Sequence, residues 1–421
     1  MRCSCAIRHQ LDWHRCRSAN RAVPLPSTSR VSHKPTAHST VVIELLHKHP
    51  VRDKKEADAP AEDALMDFGI CVMPRPRSCA REAELAEAHG FSHIWVADTQ
   101  LMAGDVFVCL ALIASATKQV KLGTGVAVAG TRIAPVTACA LGSLNELAPG
   151  RVVCGIGTGN SARRAMGLPP YRLRELRDHV RVVRALLTGG EVEYREGAVE
   201  RTVRFFHQQM GFVNLHQRVP IYIAANQPRA MELAGEIGDG FITSRTNTVE
   251  SWNDGWRRVR TGAEQHGRNP SELYTVLLTT AALMRPGETY DSPRIRSAAG
   301  PWTTVALHSL YEGVTTIEQA PAPLRPIFQQ YKEYMDDRVR GDERYYLTLH
   351  DGHGLYIRPG EERFVTAELI QHTTMTSPPQ ELRGRIRELE GAGVKQIAFI
   401  PPQGEFEPFV RELSENIIAR I

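Results

Sequence analysis

Short apolar runs alternate with longer amphipathic segments from residue 68 to the end of the chain. Apolar runs bounded by glycine, proline or polar residues are typical of buried strands, whereas apolar positions that recur at helical spacing indicate helices. The pattern predicts eight strands, at residues 68–72, 94–97, 120–123, 152–156, 221–224, 240–243, 274–283 and 397–400. It also predicts helices at residues 81–89, 106–117, 135–147, 171–187, 229–237, 249–266 and 407–418.

The order of these elements predicts the fold. Strands that alternate with helices pair in parallel, and eight such units predict an α/β fold of the TIM (β/α)8 barrel type. Two longer intervals are predicted to be insertions. Residues 191–219, before the fifth strand, are expected to form a β-hairpin. Residues 285–378, before the eighth strand, are rich in proline and tyrosine and resemble a long loop with one possible helix at 323–340.

Composition separates the first 65 residues from the rest of the chain. None of the 33 glycines lies there, although an α/β unit needs glycine at its turns. This segment also holds 11 of the 51 basic and 7 of the 47 acidic residues, which accounts for the whole net charge of +4. We therefore predict a disordered or non-native extension over residues 1–65, with a transit peptide as the weaker alternative, and one domain over 66–421. The balanced charge of that domain gives no indication of a nucleic-acid surface.

Cysteine spacing and hydropathy narrow the class of protein further. The five cysteines after residue 65 show no metal-ligand spacing and several lie in apolar runs, so we predict reduced core residues and no metal. No signal peptide is evident, and no apolar run approaches the roughly 18 residues of a membrane helix. These features predict a cytoplasmic protein without a membrane segment.

Active sites of TIM barrels lie at the carboxyl ends of the strands, and this rule selects candidate residues. Asp98 follows the second strand; because a buried charge needs a partner, it is expected to bind a ligand, cap a helix or pair with an arginine. Gly123 and Gly125 end the third strand, where glycine permits close approach of a flat ligand or simply forms a turn. Ala225 and Asn226 follow the fifth strand.

The stretch after the fourth strand, Gly157, Thr158, Gly159, Asn160 and Ser161, is the most informative in the chain. Glycines just past a strand let backbone N–H groups approach an anion, and the helix predicted at 171–187 would add its positive amino end. These properties favour a cradle for a cofactor phosphate. An ordinary strand-to-helix turn is the alternative, because a short glycine motif alone has low specificity.

Two histidines, His350 and His353, flank Asp351 in the second insertion. No third ligand is placed by spacing, so a metal site is disfavoured. A loop that brings a histidine to the substrate and a plain glycine-rich turn remain as alternatives.

Several longer stretches resemble the bacterial luciferase-like oxidoreductase superfamily, and its methylene-tetrahydromethanopterin reductase-like branch in particular. They include Phe-Gly-Ile at 68–70, Gly-Phe-Ser-His-Ile-Trp-Val-Ala-Asp at 90–98, Leu-Gly-Thr-Gly-Val at 122–126, Gly-Ile-Gly-Thr-Gly-Asn-Ser at 155–161 and Gly-Asp-Gly at 238–240. Members are TIM barrels that bind FMN or the 5-deazaflavin coenzyme F(420) at the strand ends. The resemblance implies that Asp98 lies near the cofactor, that Gly125 and Val126 form a non-proline cis peptide behind its ring, and that the loops at 157–161 and 225–227 hold its ring edge, ribityl chain or phosphate.

The resemblance also implies the reaction class, which is hydride transfer or oxygen activation on an unidentified small organic substrate. The cofactor performs the difficult step in such enzymes, so no acid–base residue is assigned as catalytic. The second insertion, with His350 and His353, is expected to line the substrate pocket, and the barrels of this superfamily commonly pair as homodimers or larger homo-oligomers.

Alternatives remain within and outside this class. Thr99 stands where deazaflavin enzymes of the superfamily often have histidine, which leaves FMN open. A deazaflavin-dependent reductase without oxygen chemistry and a non-catalytic flavin-binding barrel are the two alternatives to a monooxygenase. An aldolase-type barrel is disfavoured, because none of the four lysines after residue 65 falls at the carboxyl end of a predicted strand.

Overall fold

A computed structural model describes residues 66–244 and 247–421 of the chain. The predicted extension over residues 1–65 lies outside the described residues. The strands are β1 (Asp67–Val72), β2 (His93–Val96), β3 (Lys121–Thr124), β4 (Ala127–Val128), β5 (Val152–Gly157), β6 (Val192–Glu196), β7 (Val199–Val203), β8 (Ile221–Ala224), β9 (Gly240–Thr243), β10 (Tyr274–Thr279) and β11 (Gln396–Phe399).

Eight of these strands form a closed parallel barrel, in the chain order β1, β2, β3, β5, β8, β9, β10 and β11. The barrel closes where β1 pairs in parallel with β11, with Asp67 opposite Gln396. The two-residue strand β4 pairs with the upper part of β5. The predicted TIM barrel and its eight strands are therefore confirmed.

The helices are α1 (Cys79–Ala88), α2 (Val106–Ala116), α3 (Ala134–Leu147), α4 (Asn160–Arg164), α5 (Leu173–Leu187), α6 (Pro228–Ile237), α7 (Val249–Gln265), α8 (Pro293–Gly313), α9 (Arg325–Arg338), α10 (Tyr345–His350), α11 (Ala367–Thr373), α12 (Pro379–Gly391) and α13 (Phe406–Asn416). The main core lies between the barrel and its outer helices, where Ile70, Ile94, Leu122 and Phe241 are fully buried. No helix in the described ranges is long and apolar enough to cross a membrane.

The inside of the barrel near the amino ends of the strands is filled by a group that we call the barrel floor: Asp67, His93, Trp95, Tyr222, Tyr274 and Gln396. Its rings stack, with the centroids of Tyr222 and Tyr274 5.3 Å apart and those of His93 and Trp95 6.1 Å apart. Trp95 donates from Nε1 to Oε1 of Gln396 over 2.8 Å, and the hydroxyl of Tyr274 donates to Asp67. The floor therefore closes this end of the barrel with packed, hydrogen-bonded side chains.

The second insertion differs from its sequence-based interpretation as a long loop. It contains the four helices α8 to α11 and a hydrophobic cluster of its own, which includes Leu307, Phe328, Tyr331, Leu349 and Phe364. The helix predicted at 323–340 is confirmed as α9. The longest helix, α8, was missed because Pro301 lies in its interior, where proline ordinarily breaks a helix.

Two further boundaries differ from the prediction. β10 ends at Thr279 rather than at residue 283, because the apolar residues Ala282 and Met284 leave the barrel and pack against α8 and α11 instead. The predicted hairpin before the fifth barrel strand is confirmed. Its second strand runs from Val199 to Val203, whereas the apolar stretch at 203–206 predicts it a few residues later.

Candidate active site

The candidate residues after the second, third, fourth and fifth barrel strands meet at one end of the barrel, because the strands are parallel. Gly157 shows how close these loops lie. A Cβ atom on Gly157 would be 3.3 Å from the Cβ of Ala224 and 3.4 Å from a methyl group of Val126. The ends of β3, β5 and β8 therefore contact one another directly.

Asp98 is buried and bonded within the chain. Its Oδ2 atom accepts hydrogen bonds from the backbone N–H of Val128 (3.1 Å) and from Nη1 of Arg132 (2.7 Å). Arg132 also donates from Nη2 to Asp105 over 2.6 Å. Burial lowers the pKa of Arg132, but the two carboxylates outweigh it and raise that pKa overall. The structure thus realises the alternative in which Asp98 pairs with an arginine.

Gly125 and Val126 are joined by a cis peptide bond, as the family resemblance implied. The N–H of Gly125 donates to the carbonyl of Val96 over 2.7 Å. A Cβ on Gly125 would lie 2.9 Å from the Cβ of Trp95, and a Cβ on Gly123 would enter the Trp95 ring. Glycine is needed at both positions because the backbone lies directly against that side chain.

The stretch from Gly157 to Ser161 joins β5 to the short helix α4: Gly157 ends the strand, Thr158 and Gly159 form the turn, and Asn160 and Ser161 begin the helix. The predicted helix after this loop begins only at Leu173, so the helix that follows the glycines directly is α4 and not α5. Gly159 has a φ of 74°, and a Cβ there would collide with Val128. The tight turn into α4 therefore requires glycine at position 159.

Ala225 and Asn226 connect the ends of two strands. The N–H of Ala225 donates to the carbonyl of Ile242 over 2.9 Å. Oδ1 of Asn226 accepts from Oγ1 of Thr243 (3.0 Å) and from the N–H of Ser244 (2.9 Å), and its Nδ2 donates to the Ser244 hydroxyl (2.9 Å). Asn226 therefore fixes the ends of β8 and β9 relative to each other.

The two histidines of the second insertion lie beside this end of the barrel. Nε2 of His353 is 2.9 Å from the hydroxyl of Ser161, so the insertion contacts the first turn of α4. Nε2 of His350 is 3.1 Å from Oε1 of Glu312, a carboxylate that also lies 3.6 Å from Arg164. The structure thus joins two groups of residues that the sequence analysis had treated separately.

His353 belongs to a group of polar side chains that we call the insertion cluster: His308, Tyr331, His353, Arg358 and Glu361. His353 is partly exposed, and the other four are buried. Nδ1 of His308 is 3.0 Å from Nδ1 of His353, and Nε2 of His308 is 3.4 Å from Oε1 of Glu361. Glu361 also accepts hydrogen bonds from Arg358 and from the Tyr331 hydroxyl. Sequence reasoning missed His308 and Glu361. Along the chain His308 lies 45 residues from His353 and 53 residues from Glu361, and no sequence motif joins these positions.

The pKa values of the carboxylate and of the two imidazoles in this cluster are all lowered, which favours the charged form of the carboxylate and the neutral form of the imidazoles. Burial alone would raise the pKa of Glu361, but His308 and Arg358 lower it to about 2. Burial lowers the pKa of His308, and burial with neighbouring positive groups lowers that of His353 well below its usual value. The cluster therefore holds an ionised carboxylate and two neutral imidazoles at neutral pH.

A cleft of about 610 Å³ opens beside these histidines. Its lining comes from the loop after β2, from α4 and from the insertion, and it includes Leu101, Met102, Ala165, Tyr346, His350, His353 and Tyr356. Two buried polar atoms near it, Oε1 of Gln100 and Nδ1 of His350, have no hydrogen-bond partner among the described residues. No group of three or more potential metal ligands occurs in residues 66–244 and 247–421.

The chain matches the family model for luciferase-like monooxygenases over residues 48–396. It is 34% identical over 358 residues to a 5,10-methylenetetrahydromethanopterin reductase of Methanolobus tindarius, across 84% of this chain and 100% of that protein. It is 30% identical over 347 residues to an F(420)-dependent glucose-6-phosphate dehydrogenase of Nakamurella multipartita, across 76% of this chain and 95% of that protein.

Solved structures give the same fold. The coenzyme F(420)-dependent tetrahydromethanopterin reductase from Methanopyrus kandleri is similar with a TM-score of 0.62 and 20% identity, over 84% of this chain and 99% of that one. A type II Baeyer-Villiger monooxygenase component from Pseudomonas putida, in complex with FMN, is similar with a TM-score of 0.55 and 13% identity, over 85% of this chain and 99% of that one.

Proposed function

Because the chain belongs to the luciferase-like monooxygenase family of oxidoreductases, we propose that it binds the 5-deazaflavin coenzyme F(420) at the carboxyl end of its barrel. There it exchanges a hydride with a small organic substrate. The observation that carries this proposal is the convergence of the loops after β2, β3, β5 and β8 at that end, beside a cleft that the second insertion helps to line.

The relatives favour the deazaflavin over FMN. The two relatives described above that share at least 30% identity are a methylenetetrahydromethanopterin reductase and an F(420)-dependent dehydrogenase. The FMN-bound monooxygenase shares only 13% identity, which supports the fold and not the cofactor. We therefore take hydride transfer without oxygen chemistry as the first expectation.

The residues present fit such a group. Oε1 of Gln100 and Nδ1 of His350 are buried and have no hydrogen-bond partner in the described part of the chain, and an unsatisfied buried acceptor costs roughly 1–3 kcal/mol. A ligand with N–H or O–H donors would satisfy such atoms. When bound, the deazaflavin supplies a ring that accepts or gives a hydride, while the chain orients it and excludes water.

The proposal assigns a role to each candidate residue. The cofactor-binding set is Asp98, Gly125, Val126, Gly157, Thr158, Gly159, Asn160, Ser161, Ala225 and Asn226, and the substrate set is His350 and His353. Asp98 acts by holding Arg132 and the backbone at Val128, and Asn226 by fixing the ends of β8 and β9. The other members contribute backbone that approaches the cofactor closely.

Titration of the purified full chain with F(420) and with FMN tests the proposal. We expect quenching of deazaflavin fluorescence, with an affinity at least about tenfold higher than for FMN, or roughly 1.4 kcal/mol. Reduction of bound F(420) is then followed without oxygen, using glucose 6-phosphate and propan-2-ol as hydride donors. If neither chromophore binds, the non-catalytic barrel becomes the better description.

An FMN-dependent monooxygenase is the second candidate, and Thr99 is the observation that favours it. The position directly after Asp98 is the one where deazaflavin enzymes of this superfamily often have histidine. Tighter binding of FMN, together with oxygen consumption by the reduced complex, would establish this candidate and exclude the first.

We also propose that the protein forms a homo-oligomer in the cytoplasm. Four apolar side chains on α2 and α3, those of Val108, Leu112, Val136 and Leu147, are more than 40% exposed, which supports a contact with a second copy. The free cysteines at 71, 79, 109, 139 and 154 are consistent with a reducing compartment. Light scattering of the full chain tests the first point, since the mass of a monomer would contradict it.

A further inference from the structure

An unbroken series of polar contacts begins at the carboxyl end of the barrel strands, which we call the barrel mouth, and continues into the second insertion. It begins at the hydroxyl of Ser161, passes through both ring nitrogens of His353 and then of His308, and ends at the carboxylate of Glu361. The successive separations are 2.9, 3.0 and 3.4 Å. His308 is 1% exposed and Glu361 is 0% exposed, so water does not compete for the inner contacts.

The direction of each hydrogen bond follows from the carboxylate. An ionised carboxylate only accepts, so Nε2 of His308 must carry the proton that points at Glu361. A neutral His308 then presents a bare Nδ1, which His353 must approach with its own Nδ1–H. A neutral His353 presents a bare Nε2, and the hydroxyl of Ser161 must donate to it. In the resting state, every proton of the series therefore points away from the barrel mouth.

Glu361 is held in its ionised form partly by groups that do not belong to the series. Arg358 donates from Nε to one carboxylate oxygen over 3.0 Å and from Nη2 to the other, and the Tyr331 hydroxyl donates over 2.8 Å. The hydrogen bond from His308 and those from Arg358 together lower the pKa of Glu361 to about 2, so Glu361 does not become the final proton acceptor at neutral pH. It orients His308 and stabilises a positive charge there, as the aspartate of a serine-protease triad does for its histidine.

We propose that Ser161 is a catalytic residue that takes up and returns the proton accompanying hydride transfer, and that His353 and His308 are positioning residues that relay this proton. The proposal rests on the proposed function, because it assigns the hydride to the deazaflavin.

In the direction of substrate oxidation, the bond between hydrogen and a substrate heteroatom breaks and an O–H bond forms at Ser161. The original Ser161 proton passes to Nε2 of His353, and the Nδ1 proton of His353 passes to Nδ1 of His308. The adjacent substrate carbon loses its hydride, with the electron pair, to the deazaflavin. His308 ends as an imidazolium that still donates from Nε2 to Glu361, while the hydrogen bonds between Ser161 and His353 and between His353 and His308 have reversed their direction.

This relay defines a class of substrate. The reduced form must carry an O–H or N–H group on the carbon that exchanges the hydride, as an alcohol, a hemiacetal or an amine does. A substrate that exchanges a hydride without a coupled proton has no use for it. The cleft that could hold such a substrate is lined by Leu101, Met102, Ala165 and His353, the ring to which the Ser161 hydroxyl is bonded.

The first test needs neither substrate nor cofactor. The full chain, labelled with ¹⁵N-histidine, is studied by long-range ¹H–¹⁵N spectroscopy at neutral pH, with the two rings assigned through His308→Gln and His353→Gln. We expect neutral rings with the proton on Nδ1 of His353 and on Nε2 of His308, and a shift of the His353 Nε2 signal in Ser161→Ala. A proton on Nε2 of neutral His353, or no response to Ser161→Ala, would overturn the proposal.

The second test separates the relay from the proposed function. General acid–base catalysis contributes about 10²–10⁴ in rate, so we expect Ser161→Ala to lower kcat with propan-2-ol or glucose 6-phosphate by at least about 100-fold. Ser161→Thr, which keeps a hydroxyl, should retain most of kcat, and His308→Gln should lower kcat more than it changes KM. The exposed His372 on α11 provides the control, His372→Gln.

The outcomes remain distinguishable. If the wild-type chain does not bind F(420), the proposed function fails while the spectroscopic test of the relay still stands. If F(420) binds with wild-type affinity and Ser161→Ala turns over at the wild-type rate, the proposed function stands and the catalytic role of Ser161 is refuted.

Discussion

The barrel floor and the insertion cluster both bury a histidine near a carboxylate, but their hydrogen bonds lead to different places. In the floor, Trp95, Gln396, Tyr274 and Asp67 bond to one another and close the amino end of the barrel. In the insertion cluster, the bonds continue through His353 to a hydroxyl at the barrel mouth. Burial of an ionisable group is therefore weak evidence of function by itself, and the point at which its hydrogen bonds end carries more information.

The largest expected effect comes from breaking the ion pair of the insertion cluster. Glu361→Ala leaves Arg358 buried without its carboxylate, and loss of one partner of a buried pair costs about 3–5 kcal/mol. We expect a loss of this size in the free energy of unfolding, measured with urea. The double variant Glu361→Leu with Arg358→Met removes both charges and should be more stable than Glu361→Ala. If Glu361→Ala lowered the unfolding free energy by less than about 1 kcal/mol, water would have access to the ion pair between Arg358 and Glu361.

The ion pair also shows what the sequence could not reveal. Three of its neighbours in space, His308, Tyr331 and His353, come from α8, α9 and the loop after α10. No periodicity links them to residues 358 and 361. The barrel strands are different. β8 and β9 were predicted to the residue, because short apolar runs bounded by turn residues are specific to buried parallel strands.

The same contrast holds at the candidate site. The loops after β2, β3, β5 and β8 were found from the rule on strand ends and from the family resemblance. Their contacts were not: the bond between Asp98 and Arg132 and the bond between Ser161 and His353 join segments that are 34 and 192 residues apart. Such contacts are set by tertiary packing, which local propensity does not encode.

Acid provides the next largest effect, and both clusters contribute to it. Burial lowers the pKa of His93 in the floor to about 4, and it lowers the pKa values of His308 and His353 in the insertion cluster as well. An unfolded histidine titrates near 6.5, so the unfolded chain binds more protons below that pH. Stability should therefore be unaffected above about pH 6.5 and fall between about pH 6.5 and 4.

For His93 alone, this loss amounts to about 3 kcal/mol across the interval. His93→Asn should reduce the slope of unfolding free energy against pH by close to one proton, as measured by urea unfolding at several pH values. His353→Gln should reduce the slope in the same direction, since the pKa of that ring is also lowered in the folded chain. A wild-type chain that gains stability on acidification through this interval would contradict the assignment of neutral rings.

Two glycines, one at the barrel mouth and one in the barrel floor region, allow the effects of an added methyl group at the two ends to be compared. A Cβ on Gly157, at the mouth, would lie 3.3 Å or more from Ala224 and Val126, whereas a Cβ on Gly69, in the barrel, would lie 2.9 Å from Trp95 and 3.0 Å from Gln396. We expect Gly157→Ala to lower the affinity for F(420) about tenfold, or roughly 1.4 kcal/mol, because the methyl group obstructs the approach of the cofactor.

Gly69→Ala should instead lower the melting temperature and leave the affinity unchanged, because its methyl group strains the floor. Fluorescence titration and thermal unfolding of both variants measure the two quantities. Equal affinities for Gly157→Ala and wild type, with the fold intact, would remove the loop after β5 from the cofactor site.

The smallest expected effect is a change in kcat, and it comes from removing one tyrosine hydroxyl from either the barrel floor or the insertion cluster. Tyr274 and Tyr331 each donate a hydroxyl hydrogen bond to a carboxylate, that of Asp67 in the floor and that of Glu361 in the insertion cluster. Replacing either tyrosine with phenylalanine removes one such bond and should cost about 1–2 kcal/mol of stability, without a change in F(420) affinity. The two variants are therefore expected to lose similar amounts of unfolding free energy.

Turnover should distinguish the two tyrosine variants. Tyr331→Phe leaves Oε1 of Glu361 less constrained, so His308 is oriented less firmly and the relay to Ser161 is impaired. We expect kcat to fall about threefold in this variant, which corresponds to roughly 0.6 kcal/mol, and to remain unchanged in Tyr274→Phe. Steady-state kinetics with the same hydride donor measures both. An equal fall in kcat in the two variants would mean that any loss of a buried hydrogen bond in this fold slows turnover. The hydrogen bonds of the insertion cluster would then have no specific role in the reaction.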